Sequence, residues 1–281
     1  MKLGIEMFAT DYAMRPDELA RACEERGFES VWFPEHTHIP TSRKSPFPGG
    51  GELPKEYWHT HDLFVSLIAA AAVTKTIKLG TGICLVIERD PIVLAKEVAS
   101  VDQLSHGRLL FGIGGGWNAE EMANHGTPFK KRWKVLREKI EAMKAIWAQD
   151  AAEYHGEFVN FDPIWCYPKP IQKPHPPIIL GSHTANGLDR VVSYCDGWIP
   201  AAYAYKDLPT VISDLRTRAE KAGRTPRSLS ITMAAAPAEE TVLRQYQELG
   251  VERAIFFLPS DGREKLLPLL DQYATLIPKV T

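Results

Sequence analysis

The sequence predicts a (β/α)₈ barrel, the TIM-barrel architecture, as a single domain over residues 1–281. Three observations predict it. Apolar, β-branched runs alternate with helix-like stretches eight times along the chain, the pattern of parallel strands joined by helices. Between Ile77 and Asn118 two such runs are separated by a helix-length segment. That connection is too long for a hairpin, so the strands run parallel with a right-handed crossover. Glycine and polar residues recur where the strands end, the edge at which a barrel of this kind carries its site. A doubly wound open sheet is the structural competitor. The count of eight, and strand-end signals spread over the whole chain, favour the barrel.

Leu3 to Phe8 alternates weakly and reads as the first strand. Arg15-Pro16-Asp17-Glu18 opens a helix, with proline in the first turn and acids set favourably against the dipole. Gly27 closes it, and Ser30 to Phe33 is the second strand. A long polar loop from Thr37 to Thr60 follows, holding Pro46, Pro48 and the run Gly49-Gly50-Gly51. Loops of this length in compact domains are lids, binding loops or disorder, and this one is expected to cover the open face of the barrel. An alanine-rich helix, about Asp62 to Val73, leads into the third strand, where Ile77, Leu79, Thr81 and Ile83 alternate. Pro91 starts a helix to about Leu104, and the fourth strand, Leu109 to Ile113, ends in Gly114, Gly115 and Gly116.

Asn118, with Glu121 three residues later, has capping-box character. From Lys130 to Trp147 the chain is amphipathic, with Trp133, Leu136, Ile140, Met143 and Trp147 on one face, and reads as core packing. The segment EYHGEFVNF reads as a small hairpin turning at His155-Gly156. Helix and hairpin together form an insertion between strands four and five. The prolines Pro163, Pro168, Pro170, Pro174, Pro176 and Pro177 predict an extended surface connector. Strands at Ile178 to Leu180, Gly197 to Ile199, Leu229 to Met233 and Ala254 to Leu258 then alternate with helices at Ala185 to Tyr194, Leu208 to Ala222, Glu239 to Leu249 and Arg263 to Leu276.

The totals exclude several functions. A net charge of −2 gives no electrostatic reason to expect nucleic acid or an anionic membrane as partner. No apolar run approaches the roughly 20 residues needed to span a bilayer. The start, MKLGIEMFATDY, lacks the apolar core and cleavage site of a signal peptide. The four cysteines (Cys23, Cys84, Cys166, Cys195) have neither zinc-site nor disulfide-framework spacing. A cytoplasmic location is the expectation.

Four strand-end signals carry chemistry. The run GIGGGWN, Gly112 to Asn118, fails as a dinucleotide fingerprint because Trp117 stands at its sixth position. It remains either a turn with a helix cap or a floor that lets a ligand approach backbone closely. His36 ends the second strand in Glu-His-Thr-His; its ordinary pKa is near neutral and Glu35 can tune it, which makes it a candidate acid–base group. His36 and His38 also match the metal pair of barrel hydrolases, although the later strand ends offer few further ligands beyond His183. Gly181-Ser182-His183-Thr184 precedes a helix, where it reads both as an N-cap and as a phosphate cradle.

At these residues the chain resembles the luciferase-like flavin and deazaflavin oxidoreductases. The resemblance covers nearly the full length and rests on Gly27 to His36, Leu79 to Ile83, Leu94 to Asp102, Ser105 to Arg108, Gly112 to Asn118, Pro174 to Gly181 and Asp196-Gly197-Trp198. It is nearest to the branch that uses the deazaflavin coenzyme F-420, in which an acid–histidine pair follows strand two and a loop like Pro48 to Pro54 is common. The resemblance implies an oxidoreductase that moves a hydride between coenzyme F-420 and a small organic substrate. An FMN-dependent two-component monooxygenase is the alternative. It implies His36 as the catalytic group beside the reactive ring carbon, with Glu35 orienting or biasing it. It also implies a coenzyme site made of Gly82, Ile83, Gly114, Gly115, Gly116, Trp117, Asn118, Gly181, Ser182, His183 and Thr184. A cis peptide at Gly82-Ile83 and a homodimeric assembly are further implications. The metal-dependent hydrolase using His36 and His38 is the rival from another class.

Overall fold

A computed structural model describes residues 1–280. Eight strands close into a parallel barrel: β1 (Lys2–Glu6), β2 (Ser30–Phe33), β3 (Lys78–Thr81), β4 (Leu109–Gly114), β7 (Ile178–Gly181), β8 (Gly197–Trp198), β9 (Ser230–Met233) and β10 (Arg253–Phe257). They follow one another around the barrel in chain order, and β10 returns to β1 with Lys2 opposite Arg253. The remaining two strands, β5 (Ala151–His155) and β6 (Asn160–Trp165), form a separate antiparallel hairpin between β4 and β7. The predicted fold and its insertion are therefore the observed ones.

Helices α1 (Pro16–Glu25), α2 (Glu56–His59), α3 (Leu63–Val73), α4 (Pro91–Leu104), α5 (Ala119–Asn124) and α6 (Arg132–Ala148) surround the first half of the barrel. Helices α7 (Ala185–Tyr194), α8 (Leu208–Lys221), α9 (Glu240–Glu248), α10 (Arg263–Ala274) and α11 (Ile277–Val280) surround the second. Local chemistry fixes where several of them start. Asp90 accepts from the Ile92 and Val93 amides just before Pro91, and Asp62 accepts from those of Phe64 and Val65. Each cap satisfies amides that the helix itself cannot.

The core has two layers. Trp32, Leu110, Ile179, Ile199 and Ile255 fill the barrel interior, while a larger cluster lies between strands and helices. A filled interior leaves the carboxyl ends of the strands as the only face on which a barrel of this type builds a ligand site. At the opposite end Arg253, 3% exposed, forks onto Glu29 at 2.6 and 2.7 Å.

Three expected boundaries shift. The first strand stops at Glu6, not Phe8, and the long amphipathic helix begins at Arg132 after a 3₁₀ turn over Phe129–Lys131. Pro163 lies within β6 and not in the connector; a two-stranded hairpin consists of edges, where a residue lacking an amide proton is tolerated. Among the described residues no helix is long and apolar enough to cross a membrane.

Candidate active site

The carboxyl ends of the strands surround a cavity of about 450 Å³. Gly82 and Ile83 beyond β3, Gly114 to Trp117 at the end of β4, and Gly181 to Thr184 at the end of β7 make its floor and one side. Ile199, Ala201 and Tyr203 after β8, Ala234 after β9, and Glu6 at the end of β1 complete the ring. The long loop closes over it as expected: Phe47, Pro48, Gly49 and Tyr57 face the cavity. The loop's far end is tied down by pairing of Thr60 with Thr10 and by the His61 amide on the Ala9 carbonyl.

Ten of the eleven expected ring- and phosphate-contacting residues line this cavity, and Asn118 does not. Its side chain accepts from the Glu121 amide at 3.2 Å and caps α5, so at this position the cap is what the sequence encodes. The glycines also make room for the protein's own side chains. A Cβ on Gly114 would lie 2.0 Å from the Ile83 side chain, and one on Gly115 would lie 2.8 Å from the Trp133 ring. The vacated space thus seats the protein's own side chains, and glycine backbone and side chains line the cavity together. The Gly82–Ile83 peptide is cis, as expected, and β3 resumes pairing with β4 beyond it through Cys84 and Ile113.

His36 and Glu35 sit one layer behind the wall. The His36 ring packs 5.2 Å from Tyr57 and 5.8 Å from Trp117, measured between ring centroids, and both of these residues line the cavity. The carboxylate that orients it is Glu121, whose oxygens lie 2.9 and 2.8 Å from Nδ1. Glu35 is committed elsewhere. It accepts from the Leu85 amide at 2.7 Å and from Arg89 Nε at 2.8 Å, and it pairs with Arg89 Nη2 as well. The expectation that Glu35 orients His36 is corrected accordingly, although its charge still biases the imidazole upward. Burial outweighs that charge and pushes His36 down to about 4, leaving it neutral at physiological pH.

Two cavity residues had no distinguishing signal in the sequence. Glu6 reads as one more position in a weakly alternating strand, yet its carboxyl is buried in the cavity wall. Burial raises it to about 8, so it is a neutral acid at pH 7. Trp133 sits on a helix face that reads as core, yet it separates the cavity from a second groove. That groove, about 710 Å³, is lined by Lys130, Lys131, Lys134, Arg137 and Arg190, with Asp189 the one acid. The Arg190 guanidinium stacks 4.3 Å over Trp133.

The candidate phosphate cradle has both of its expected characters. Thr184 caps α7 through the Gly187 amide, while the buried Ser182 hydroxyl beside it finds no hydrogen-bond partner. An orphaned hydroxyl next to the positive end of a ten-residue helix fits a phosphate. His36 and His38 do not converge on a common ligand. His38 is held by Thr37 at 3.0 Å and by Asn124 at 2.8 Å. Among the described residues no group of three or more His, Cys, Asp or Glu side chains is placed to hold a metal ion.

The family model described as luciferase-like monooxygenase matches residues 11–267. The chain belongs to that family. This luciferase-like oxidoreductase is 38% identical to an uncharacterised protein of Mycobacterium tuberculosis over 280 residues, 98% of each chain. Its fold matches that of the monooxygenase RslO1 from Streptomyces bottropensis, with a TM-score of 0.80 at 19% identity over the full length of both chains. It also matches an F-420-dependent secondary alcohol dehydrogenase solved with an F-420–acetone adduct. There the TM-score is 0.77 at 17% identity, covering 100% and 99% of the two chains. Members of the family use either F-420 or FMN, and the cavity, floor and cradle suit a tricyclic ring bearing a phosphate.

Proposed function

We propose that the protein transfers a hydride between coenzyme F-420 and a small organic substrate held under the lid. The observation that carries this reading is the cationic groove on the far side of Trp133 from the cavity. A deazaflavin coenzyme extends beyond its phosphate into a further anionic tail, for which Lys130 and Arg190 supply counter-charge. Flavin mononucleotide ends at its phosphate and leaves that groove without a role.

When bound, the coenzyme supplies a ring carbon that accepts or gives a hydride. The chain does the rest. Ile83 and the backbone of Gly114 to Gly116 offer the ring a flat apolar seat, and Ser182 with the start of α7 holds the phosphate. Phe47 and Tyr57 shut water out of the cavity. Hydride transfer to or from a carbon bearing oxygen needs a partner proton. Glu6 in the wall carries one at neutral pH, and His36, neutral and backed by Glu121, takes or returns one behind Tyr57 and Trp117.

The Ser182–Thr184 cradle serves either coenzyme's phosphate equally, so the FMN-dependent monooxygenase is the second reading. Titrating the protein with each coenzyme and following quenching of Trp117 and Trp133 fluorescence separates the two. Micromolar or tighter binding of F-420 is expected. Such binding of FMN with none of F-420 overturns the assignment. With F-420 bound, His36→Ala lowers turnover far more than affinity; equal losses would reduce His36 to a packing contact.

The same reading places the protein in the cytoplasm as a homodimer. In support, all four cysteines are free and buried. Helices α3 and α4 also present an outward apolar face in which Val65, Val93 and Leu104 are exposed.

A further inference from the structure

Behind the cavity wall a buried seam of carboxyl and imidazole groups leads away from His36. His36 Nδ1 meets Glu121 at 2.8 Å, and among the described residues no hydrogen bond is made to its Nε2. The Glu121 carboxyl lies within hydrogen-bonding reach of Glu88. Glu88 ends the short turn Val86–Glu88, its side chain is 1% exposed, and neither of its oxygens has a donor among the protein groups. Two facing carboxylates are both acceptors, so their contact closes only with one proton between them. Beyond Glu88, His125 Nε2 stands 3.9 Å away, a gap closed by a small turn of the ring or by one bridging water. The His125 side chain is 28% exposed, and the same Nε2 lies 2.9 Å from the Thr37 hydroxyl, which rotates to accept from it once it carries the proton.

We propose that His36, Glu121, Glu88 and His125 form a proton relay that connects the acid–base histidine to solvent by a route separate from the cavity mouth. The proposal rests on the reading of His36 as a proton-exchanging group in hydride transfer. When His36 takes a proton on Nε2, its Nδ1 proton passes to Glu121. The acid proton of Glu88 passes to His125, and Glu121 hands its new proton to Glu88. One proton enters at His36 and one leaves at His125; only N–H and O–H bonds change, and the carboxyl pair ends as it began. A half-turn of the imidazole restores the starting tautomer.

The surroundings hold the seam in the required state. Burial first, then the neighbouring carboxylates including Glu35, keeps the shared proton on the Glu88–Glu121 pair, against the opposing charges of Lys139 and Arg89. The Thr37 amide donates to Glu121. Lys139 is held off on the carbonyls of Ile87 and Arg89, at 3.1 and 2.6 Å. Burial, and for His125 the adjacent His38, lowers both imidazoles, so each is neutral and free to accept a proton at physiological pH.

Exchange of the His36 Nδ1 proton with water, measured by NMR on full-length protein labelled with ¹⁵N-histidine, tests the route without coenzyme or substrate. Glu88→Gln and, at the more exposed end, His125→Phe should each slow that exchange by about tenfold or more. Glu88→Gln should also remove a protonated-carboxyl band from the infrared spectrum at neutral pH. Unchanged exchange in both variants, or an unchanged carboxyl band, overturns the relay. Slowed exchange together with full turnover of the His36→Ala protein would keep the relay and remove the hydride-transfer role of His36 instead.

Discussion

Glu6 keeps its proton up to about pH 8 in the folded protein because burial strips its carboxylate of water, whereas the unfolded chain releases it near 4.5. Between those values the native state binds more protons than the unfolded one, so this residue makes stability fall as pH rises. The loss begins above the unfolded value and is complete above the folded one. Glu6→Gln should therefore match wild type at about pH 5 and exceed it at about pH 9 by on the order of a few kcal/mol in denaturant unfolding. Equal stabilities at the alkaline end would mean that Glu6 ionises normally. Gly114 supplies a second test. A methyl group there meets Ile83 and must push it into the cavity. Gly114→Ala should cost about 1–3 kcal/mol in stability while weakening coenzyme binding more than thermal unfolding alone would suggest. Unaltered coenzyme affinity would show that Ile83 is not the ring's seat.

Among the elements, the segment after β3 depends on one half-buried arginine. Arg89 ties Glu35 at the end of β2 to Glu97 on α4 at 3.1 Å and to Asp62 at the start of α3 at 3.0 Å. Removing it leaves the Glu35 carboxylate, 5% exposed, with the Leu85 amide and the weak Cys84 thiol donor and no counter-charge. Arg89→Ala should cost about 3–5 kcal/mol by thermal or chemical unfolding. A loss below about 1 kcal/mol, the usual worth of an exposed pair, would show that Glu35 is solvated or protonated there. Strands, helices and lid were legible in the sequence because periodicity, proline and glycine act locally. The partners of Glu35 and His36 were not. Glu35 meets Arg89 across 54 residues and His36 meets Glu121 across 85. Adjacency in sequence suggested an acid–histidine pair where successive residues in fact diverge. Asn118 lies outside the cavity lining, and its local capping signal was real: its side-chain oxygen accepts from the Glu121 amide.

At the scale of the whole molecule, the apolar face of α3 and α4 bears on assembly. Val65, Val93 and Leu104 are 62%, 56% and 64% exposed, a cost that a second copy docked there would remove. Light scattering on purified protein should report a dimer, and Val65→Asp with Val93→Asp should give a folded monomer. A wild-type monomer at micromolar concentration would refute the homodimer. The barrel itself was legible because eight repeats of one pattern leave few alternatives. The cavity's acid was not, since nothing in MKLGIEMF distinguishes Glu6 from a solvent-facing strand residue until the barrel closes around it.

The glycine run and the carboxylate that holds His36 belong to one short piece of chain. Gly116 ends the run, Asn118 caps α5, and the amide that Asn118 binds is that of Glu121. Whatever presses on the cavity bed therefore also presses, five residues on, upon the group that aligns the imidazole. Seat and imidazole are joined through the first turn of α5, which Asn118 caps on the Glu121 amide. A one-residue insertion between Gly116 and Glu121 would put these two out of step, however mild the residue inserted.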